Sequence, residues 1–405
     1  MKLSPAREVP RGVWVLGFVS MLMDISSEMV HSLLPVFMVS TLGASALAVG
    51  MVEGVAEATA LIVKVISGTL SDFVGRRKEL AVFGYGLGAL SKPLFALAAG
   101  VPGVLGARFL DRIGKGVRGA PRDALVADLT PAPLRGAAYG LRQSLDTVGA
   151  FVGPLLAIAL MMACAGNFRK VFWFATLPGL LAVALLTLGV HEPKATTPSQ
   201  ARALIHWRTL KQLDAAYWNI VIMGAVFTLT RFSEAFLILR ARQQGLPDAM
   251  APLVFVTMNV IYALSAYPAG MLADRFDRRL LMATGLVVLI ASDLTLARAP
   301  GLAAVALGVA LWGLHMGLTQ GVFAAMIAAA APAQLRGSAF GFFNLAGGIA
   351  MLVASALAGF LWDRFGSAAT FYAGAGFAVI ALGFIGLSLN EKSPAATALS
   401  RDHGR

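Results

Sequence analysis

The chain is poor in charged residues, which occupy 13% of its 405 positions, whereas soluble proteins carry about 25%. Cys164 is its single cysteine, so an internal disulfide or a cysteine-rich metal site is excluded. It lacks Walker A, HExxH and GxSxG sequences, and we expect neither an enzyme nor a bound cofactor. What remains is apolar: 58% of the residues are hydrophobic and the mean hydropathy is +0.76. This composition indicates that most of the chain lies in lipid.

Apolar runs long enough to cross a membrane follow one another along the sequence. One crossing takes about 20 helical residues. Backbone in lipid must satisfy its own hydrogen bonds, which runs of this length do as helices. We predict an all-α polytopic membrane protein whose two pseudo-symmetric six-helix bundles contain twelve transmembrane helices, at 13–39, 46–70, 80–99, 104–126, 137–163, 171–190, 214–239, 248–272, 280–297, 302–329, 337–361 and 367–389.

Charge in the breaks between these runs predicts the orientation. Lys and Arg concentrate on the side that holds the amino terminus, which places both termini in the cytoplasm. The net charge of +12 is thereby explained without a nucleic-acid partner. A single long polar break divides the chain. The predicted organisation is an N-terminal bundle at 1–190, a cytoplasmic linker at 191–213, a C-terminal bundle at 214–389 and a short polar tail at 390–405.

Two sequence segments recur in the second half. GTLSDFVGRR at 68–77 matches GMLADRFDRR at 270–279, and LRGAAYG at 134–140 matches LRGSAFG at 335–341. Both pairs are about 201 to 202 residues apart, which indicates duplication of a six-helix unit. Duplicated bundles that meet around a midplane site are typical of transporters that work by alternating access.

The first of these segments resembles the signature loop of the major facilitator superfamily. Glycines allow close helix approach, and an acid at a helix end can pair with basic residues and hold two halves together. The copy carries Asp277 where the first segment has its second glycine. The resemblance implies a gating loop formed by Gly68, Asp72, Gly75, Arg76 and Arg77, with Asp274 and Arg278 as counterparts.

Span five resembles the motif of proton-coupled antiporters in that superfamily. Its pattern comprises Gly140, Gly149, Gly153 and Pro154, and the family's terminal glycine pair is replaced by Ala157 and Ile158. Glycines four apart open a groove for a neighbouring helix. Arg108-Phe109-Leu110 on span four resembles the family's intramembrane arginine motif. The resemblance implies efflux of a solute in exchange for protons.

Charged side chains within the predicted spans are the candidates for this chemistry, because a charge at membrane depth must face a cavity or a partner. In spans one, two and four they share single helix faces. The alternative is structural: ion pairs such as Glu57 with Lys64 or Lys92, and Arg142 with Asp146 four residues on. The candidate cavity residues are Asp24, Glu28, His31, Glu53, Glu57, Arg108, Asp111, Arg112, Lys115, Arg142, Asp146, Arg231, Glu234 and His315.

Two functions are compatible with these residues. The first is proton-coupled export of a small amphipathic or anionic organic solute, by a monomer in the bacterial inner membrane. The alternative is transport of a transition metal or metal chelate, with oxygen and nitrogen ligands from Asp24, Glu28 and His31. Softer ligands for that alternative are Met21, Met23, Met29, His315 and Met316. No resident metal site is predicted.

Overall fold

The computed structural model describes residues 9–74, 76–192, 215–275, 277–319 and 336–390, and within them it contains helices and no strand. The helices form two groups, α1–α6 and α7–α13. Their bounds are α1 Arg11–His31, α2 Ala46–Val74, α3 Arg77–Leu97, α4 Val101–Leu129, α5 Arg135–Ala163, α6 Phe168–Gly189, α7 Ala215–Leu229, α8 Ala235–Gln243, α9 Leu253–Arg275, α10 Arg278–Arg298, α11 Leu302–Thr319, α12 Arg336–Phe365 and α13 Ser367–Asn390.

Ten helical segments of the described chain are long and apolar enough to cross a membrane, and they agree with ten of the predicted spans. Span four is missing from this set although α4 is 29 residues long, because its charged side chains lower its hydropathy. Span seven is the other predicted span that is missing from this set. The all-α membrane architecture is confirmed. Span four differs from the ten in its charge, and span seven in its length, because its apolar helix over Tyr217–Leu229 is short.

The prediction that span seven is one helix over 214–239 is wrong. The structure has two helices, α7 and α8, separated by a non-helical break at 230–234. Span one also changes course: α1 ends at His31, and a short helix over Leu34–Val36 leads into a π-helical turn over Phe37–Thr41. Most of the linker, the final ten residues of span ten and nearly all of the tail lie outside the described residues.

The two halves repeat each other in detail. Helices α3 and α10 each contain 21 residues, and each is closed at its carboxyl end by an arginine from another helix. Arg169 donates to the carbonyl oxygen of Ala96 at 2.7 Å. Arg240 donates to the oxygens of Leu296 and Ala297 at 2.9 and 3.2 Å. A cation at these carbonyls complements the negative end of the helix dipole, although α6 supplies it in the first half and α8 in the second.

The halves touch along α2 and α12 and along α5 and α9. Glycines set the first contact: a Cβ at Gly54 would lie 3.0 Å from the Cα of Leu352, and one at Gly359 would lie 2.6 Å from the Cα of Leu47. Close backbone approach between such helices requires small residues. The contact runs toward the side where α2 begins and α12 ends, here called the distal side.

One carboxylate closes the distal end of this contact. Asp363 near the end of α12 accepts hydrogen bonds from the backbone N–H groups of Ala46 and Leu47, at 3.0 and 2.8 Å. The first N–H groups of a helix have no partner within it. A side chain of the second half therefore completes the first turn of α2, and the two halves are held together on the distal side.

Candidate functional site

The predicted antiporter glycines position the acids of α1. A Cβ at Gly149 would lie 2.6 Å from the Met21 carbonyl oxygen and 3.0 Å from the Cβ of Asp24. One at Gly153 would lie 2.8 Å from the Cβ of Glu28. Because neither glycine has a side chain, α1 lies directly on α5 at both acids. Gly140, by contrast, faces open space, and Pro154 is buried within α5.

A buried ion pair lies at the centre of the first half. Arg108 Nη2 is 2.6 Å from Glu53 Oε2, and the two side chains are 2% and 1% exposed. His31 Nε2 lies 3.5 Å from the same Glu53 oxygen, while its Nδ1 lies 3.7 Å from Glu28 Oε2. Helices α1, α2 and α4 therefore meet through charged groups, and Glu53 and Arg108 form an interhelical ion pair, as in the structural alternative.

The network continues from α4 to α3. Asp111 accepts from Lys92 Nζ at 2.6 Å and from Ser91 Oγ at 3.2 Å. Arg108 Nη1 is 3.9 Å from the second Asp111 oxygen. Lys92 also donates to Ser27 Oγ on α1 at 3.2 Å. Each buried charge here has an opposite charge beside it, which is the condition for burial in lipid.

Glu57 corrects the expected pairing. Its Oε1 lies 3.2 Å from Arg112 Nη2, rather than pairing with Lys64 or Lys92. Lys92 is committed to Asp111 instead. Glu57 remains 35% exposed, and Lys115, one turn beyond Arg112, is exposed as well. This part of the network is the part that a dissolved molecule can reach.

A second cluster lies toward the start of α5. Arg142 pairs with Asp146 as predicted, and its Nε lies 3.7 Å from Asp123 Oδ1. Arg122 also binds Asp123, at 3.0 Å. The Arg122 guanidinium donates to Ser20 Oγ on α1 at 3.2 Å. The cluster therefore links α4 and α5 to α1 near Asp24.

The second half contributes fewer charges, and they lie at the break in span seven. Arg231 and Glu234 occupy that break, and Glu234 is close enough to His31, Glu57 and Glu28 for electrostatic interaction. The His31 ring meets the Phe255 ring edge to face, with centroids 5.0 Å apart. The candidate site is thus formed by both halves.

His315 is buried within the second half rather than in contact with the acids of α1. Its Nδ1 lies 2.8 Å from the Gly285 carbonyl oxygen, and its ring stacks on Phe227 at 5.6 Å. In the described part of the chain no group of three or more His, Cys, Asp and Glu side chains is arranged to hold a metal ion.

The predicted gating loop is only partly described. Gly75 lies outside the described residues, and Asp72, Asp274 and Arg278 lie at helix ends, the last two in α9 and α10. Gly68 packs on α4: a Cβ placed at Gly68 would lie 3.6 Å from the Cβ of Ala120. Arg76 pairs with Glu79 at 3.3 Å. The Arg77 side chain pairs with Asp128 at the end of α4. The backbone N–H of Arg77 donates to Glu192 Oε1 at 2.8 Å.

Several partners of the network escaped the sequence analysis. Ser20 hydrogen-bonds the Tyr85 hydroxyl at 3.1 Å, and Arg118 lies over the Tyr85 ring at 5.1 Å from its centroid. Phe255 and Phe227 contact the two histidines. Serine, tyrosine and phenylalanine are ordinary in apolar helices, so the sequence carries no signal that distinguishes these positions.

Repeated helical halves that enclose charged groups away from lipid define a membrane transporter. Comparison with known proteins agrees. The sequence model of the Major Facilitator Superfamily matches residues 16–255 and 220–403. A Methanocaldococcus jannaschii protein described as an uncharacterized MFS-type transporter is 31% identical over 381 residues, covering 92% of this chain and 94% of that protein. The chain belongs to the Major Facilitator Superfamily.

Two further similarities are more distant. The quinolone resistance protein NorA of Staphylococcus aureus is 25% identical over 217 residues, which is 54% of each chain. The crystal structure of a POT family transporter in complex with 5-aminolevulinic acid superposes with a TM-score of 0.78 at 13% identity, covering 94% of this chain and 96% of that one. The second likeness shows the fold.

Proposed function

We propose that this protein exports small amphipathic or anionic organic molecules in exchange for protons, with both termini in the cytoplasm of a bacterial cell. The observation that carries the proposal is the position of Asp24. It lies against Gly149, and within the described chain it has neither an ion pair nor a hydrogen bond of its own. The charges that act on it are those of Asp146, Arg118, Lys115 and Arg122.

This placement makes Asp24 an exchangeable group. The fraction of time that a carboxylate among one acid and three cations holds a proton changes when any of those charges is neutralised. An amphipathic solute whose anionic group pairs with Lys115 and whose cationic group lies beside Asp24 favours the ionised carboxylate. Protonation of Asp24, conversely, weakens retention of that cationic group. Solute and proton therefore compete for the site, as exchange requires.

Three observations support export of an organic anion. The glycines of the antiporter pattern are the residues that seat Asp24 and Glu28 on α5. The similarity to a protein named for quinolone resistance supports an organic solute. The exposed position of Lys115 next to Arg112 and Glu57 supports a solute with a negatively charged group.

The test uses inside-out membrane vesicles, in which export appears as uptake, with norfloxacin and carboxyfluorescein as probes. We expect uptake that is driven by a pH gradient and that nigericin abolishes. Asp24→Asn is expected to remove the dependence on the gradient, because an amide cannot exchange a proton. Asp248→Asn is the matched control: this acid pairs with Arg242 at 2.8 Å, which is not a residue of the network, and uptake by this variant should equal that of the parent protein.

Either of two results would contradict the proposal. One is gradient-driven uptake by Asp24→Asn at the parental rate. The other is uptake of neither probe by the parent protein in vesicles that contain it in folded form, as judged by size-exclusion chromatography after extraction.

A further inference from the structure

Asp293 on α10 is a buried acid outside the network described above. Its side chain is 0% exposed, and neither carboxyl oxygen has a hydrogen-bond partner. The indole N–H of Trp312 on α11, the helix that packs against α10, is also buried and without a partner. Burial of an ionised carboxyl without a counter-charge is prohibitively costly, whereas a protonated carboxyl is neutral.

The internal repeat shows what is missing. Displacement by about 201 residues maps α3 onto α10 and α4 onto α11. It places Ser292 and Asp293 at the positions of Ser91 and Lys92, and Trp312 at the position of Asp111. In the first half Lys92 and Asp111 neutralise each other at 2.6 Å. In the second half the lysine has become an acid, and its partner has become an aromatic residue.

The space around Asp293 limits what can neutralise it. A Cβ at Gly374 on α13 would lie 2.6 Å from its Oδ2 and 3.0 Å from the ring of Phe232. Phe232 in turn packs on Trp312 and Phe371, with centroids 5.3 and 5.6 Å apart. Aromatic rings and a glycine therefore surround the carboxyl, and neither of its oxygens has a hydrogen-bond partner. A proton neutralises such a carboxyl without requiring further ligands from the protein.

The titratable and charged groups on the neighbouring elements do not pair with Asp293, although His315 Nε2 and Arg231 Nε are themselves buried without a hydrogen-bond partner. Tyr372 of α13 accepts from Arg298 at 3.2 Å, and Arg240 of α8 binds the carbonyl oxygens that end α10. His315 of α11 is bound to the Gly285 oxygen. Arg231, next to Phe232 in the break of span seven, interacts with Glu234 and Tyr262.

We propose that Asp293 is a second proton-binding site, which holds a proton in the conformation described here and releases it when the break at 230–234 moves Phe232 away. The break carries Phe232, whose ring and the Asp293 carboxyl both lie against Gly374, and it also carries Arg231 and Glu234 of the candidate site. Movement of the break therefore links the enclosed carboxyl to the candidate site. The release step rests on the proton coupling proposed above, whereas proton binding itself does not.

Infrared spectroscopy of the purified protein tests proton binding without any transport. A protonated carboxyl has a carbonyl stretch that ionised carboxylates lack. We expect Asp293→Asn to remove one such band at neutral pH, and Asp111→Asn to retain it, because Asp111 is ion-paired. The amide has nearly the shape of the neutral acid, so the variant should fold; Asp293→Ser provides the same comparison if it does not. An unchanged band in the Asp293 variants would overturn the proposal.

A second measurement addresses release. The ratio of protons to solute moved is determined in liposomes from a pH-sensitive dye and labelled norfloxacin. We expect Asp293→Asn to lower this ratio by one proton per solute, while Asp248→Asn leaves it unchanged. An unchanged ratio in Asp293→Asn would overturn release during transport. Absence of norfloxacin transport by the parent protein would count against the proposed function and leave the infrared result to decide proton binding.

Discussion

Glu53→Gln is expected to lower the free energy of unfolding by about 3–5 kcal/mol, the usual effect of removing one partner from a buried ion pair. The substitution leaves the Arg108 guanidinium 2% exposed and without its partner at 2.6 Å. Its remaining acidic neighbour, Asp111, is 3.9 Å away and already bound to Lys92. The Arg108 Nε is itself without a hydrogen-bond partner. The measurement is thermal and denaturant unfolding in detergent.

The control for this prediction is Glu79→Gln. Glu79 pairs with Arg76 at 3.3 Å, but these side chains are 67% and 69% exposed. Exposed pairs contribute about 0–1 kcal/mol, so this variant should unfold like the parent protein. The double variant Glu53→Gln, Arg108→Met should regain part of the loss, since no unpaired charge remains. Equal stability of Glu53→Gln and Glu79→Gln would show that the pair at the centre of the bundle does not stabilise the fold.

Gly50→Ala is expected to abolish transport by keeping the distal side open. A Cβ at Gly50 would collide with the backbone carbonyl oxygen of Ser355 on α12, and backbone cannot swing away as a side chain can. The helices α2 and α12 would have to separate. Since alternating access requires each side to close in turn, a protein that cannot close distally cannot complete its cycle, although the fold of each half remains intact.

Opening is measured by cysteine labelling in a Cys164→Ala background. Ala46 is buried at the start of α2, where Gly359 packs against it. Ala46→Cys should resist a membrane-impermeant maleimide in the parent protein and react in Gly50→Ala. Gly86→Ala is the matched control, because a Cβ at Gly86 meets nothing within 4 Å. Slow labelling of Ala46→Cys in Gly50→Ala would contradict the prediction.

Much of the fold was predictable, because membrane spans are long and each apolar residue adds to the hydropathy of its span. Ten spans agree with described helices, and the repeat at 68–77 and 270–279 predicted the duplicated design. The charged face of α4 was predictable for the same reason, since helical periodicity fixes which side chains share a face. Arg142 and Asp146 formed the expected pair because both lie on one helix.

Contacts between helices were not predictable at this level. Glu57 lies on the same helix as Lys64 and was expected near Lys92, yet it pairs with Arg112, because rotation of each helix about its axis depends on packing of all neighbours. The break in span seven was missed because 230–234 contains neither glycine nor proline. Aromatic packing around Phe232 and charge interactions of Glu234 with Arg231 and His31 accompany that break, and a periodic pattern does not encode them.

The bond from Asp363 to the start of α2 has a consequence for the solvent. When the bond is closed, two N–H groups are paired with a carboxylate at the rim, and the glycine faces of α2 and α12 are shielded from water. When the halves separate, the N–H groups and the glycine faces must be hydrated. Distal opening therefore takes up water. Solutes that are excluded from protein surfaces favour states with less hydrated area, so osmotic pressure on that side sets how often the transporter opens to it.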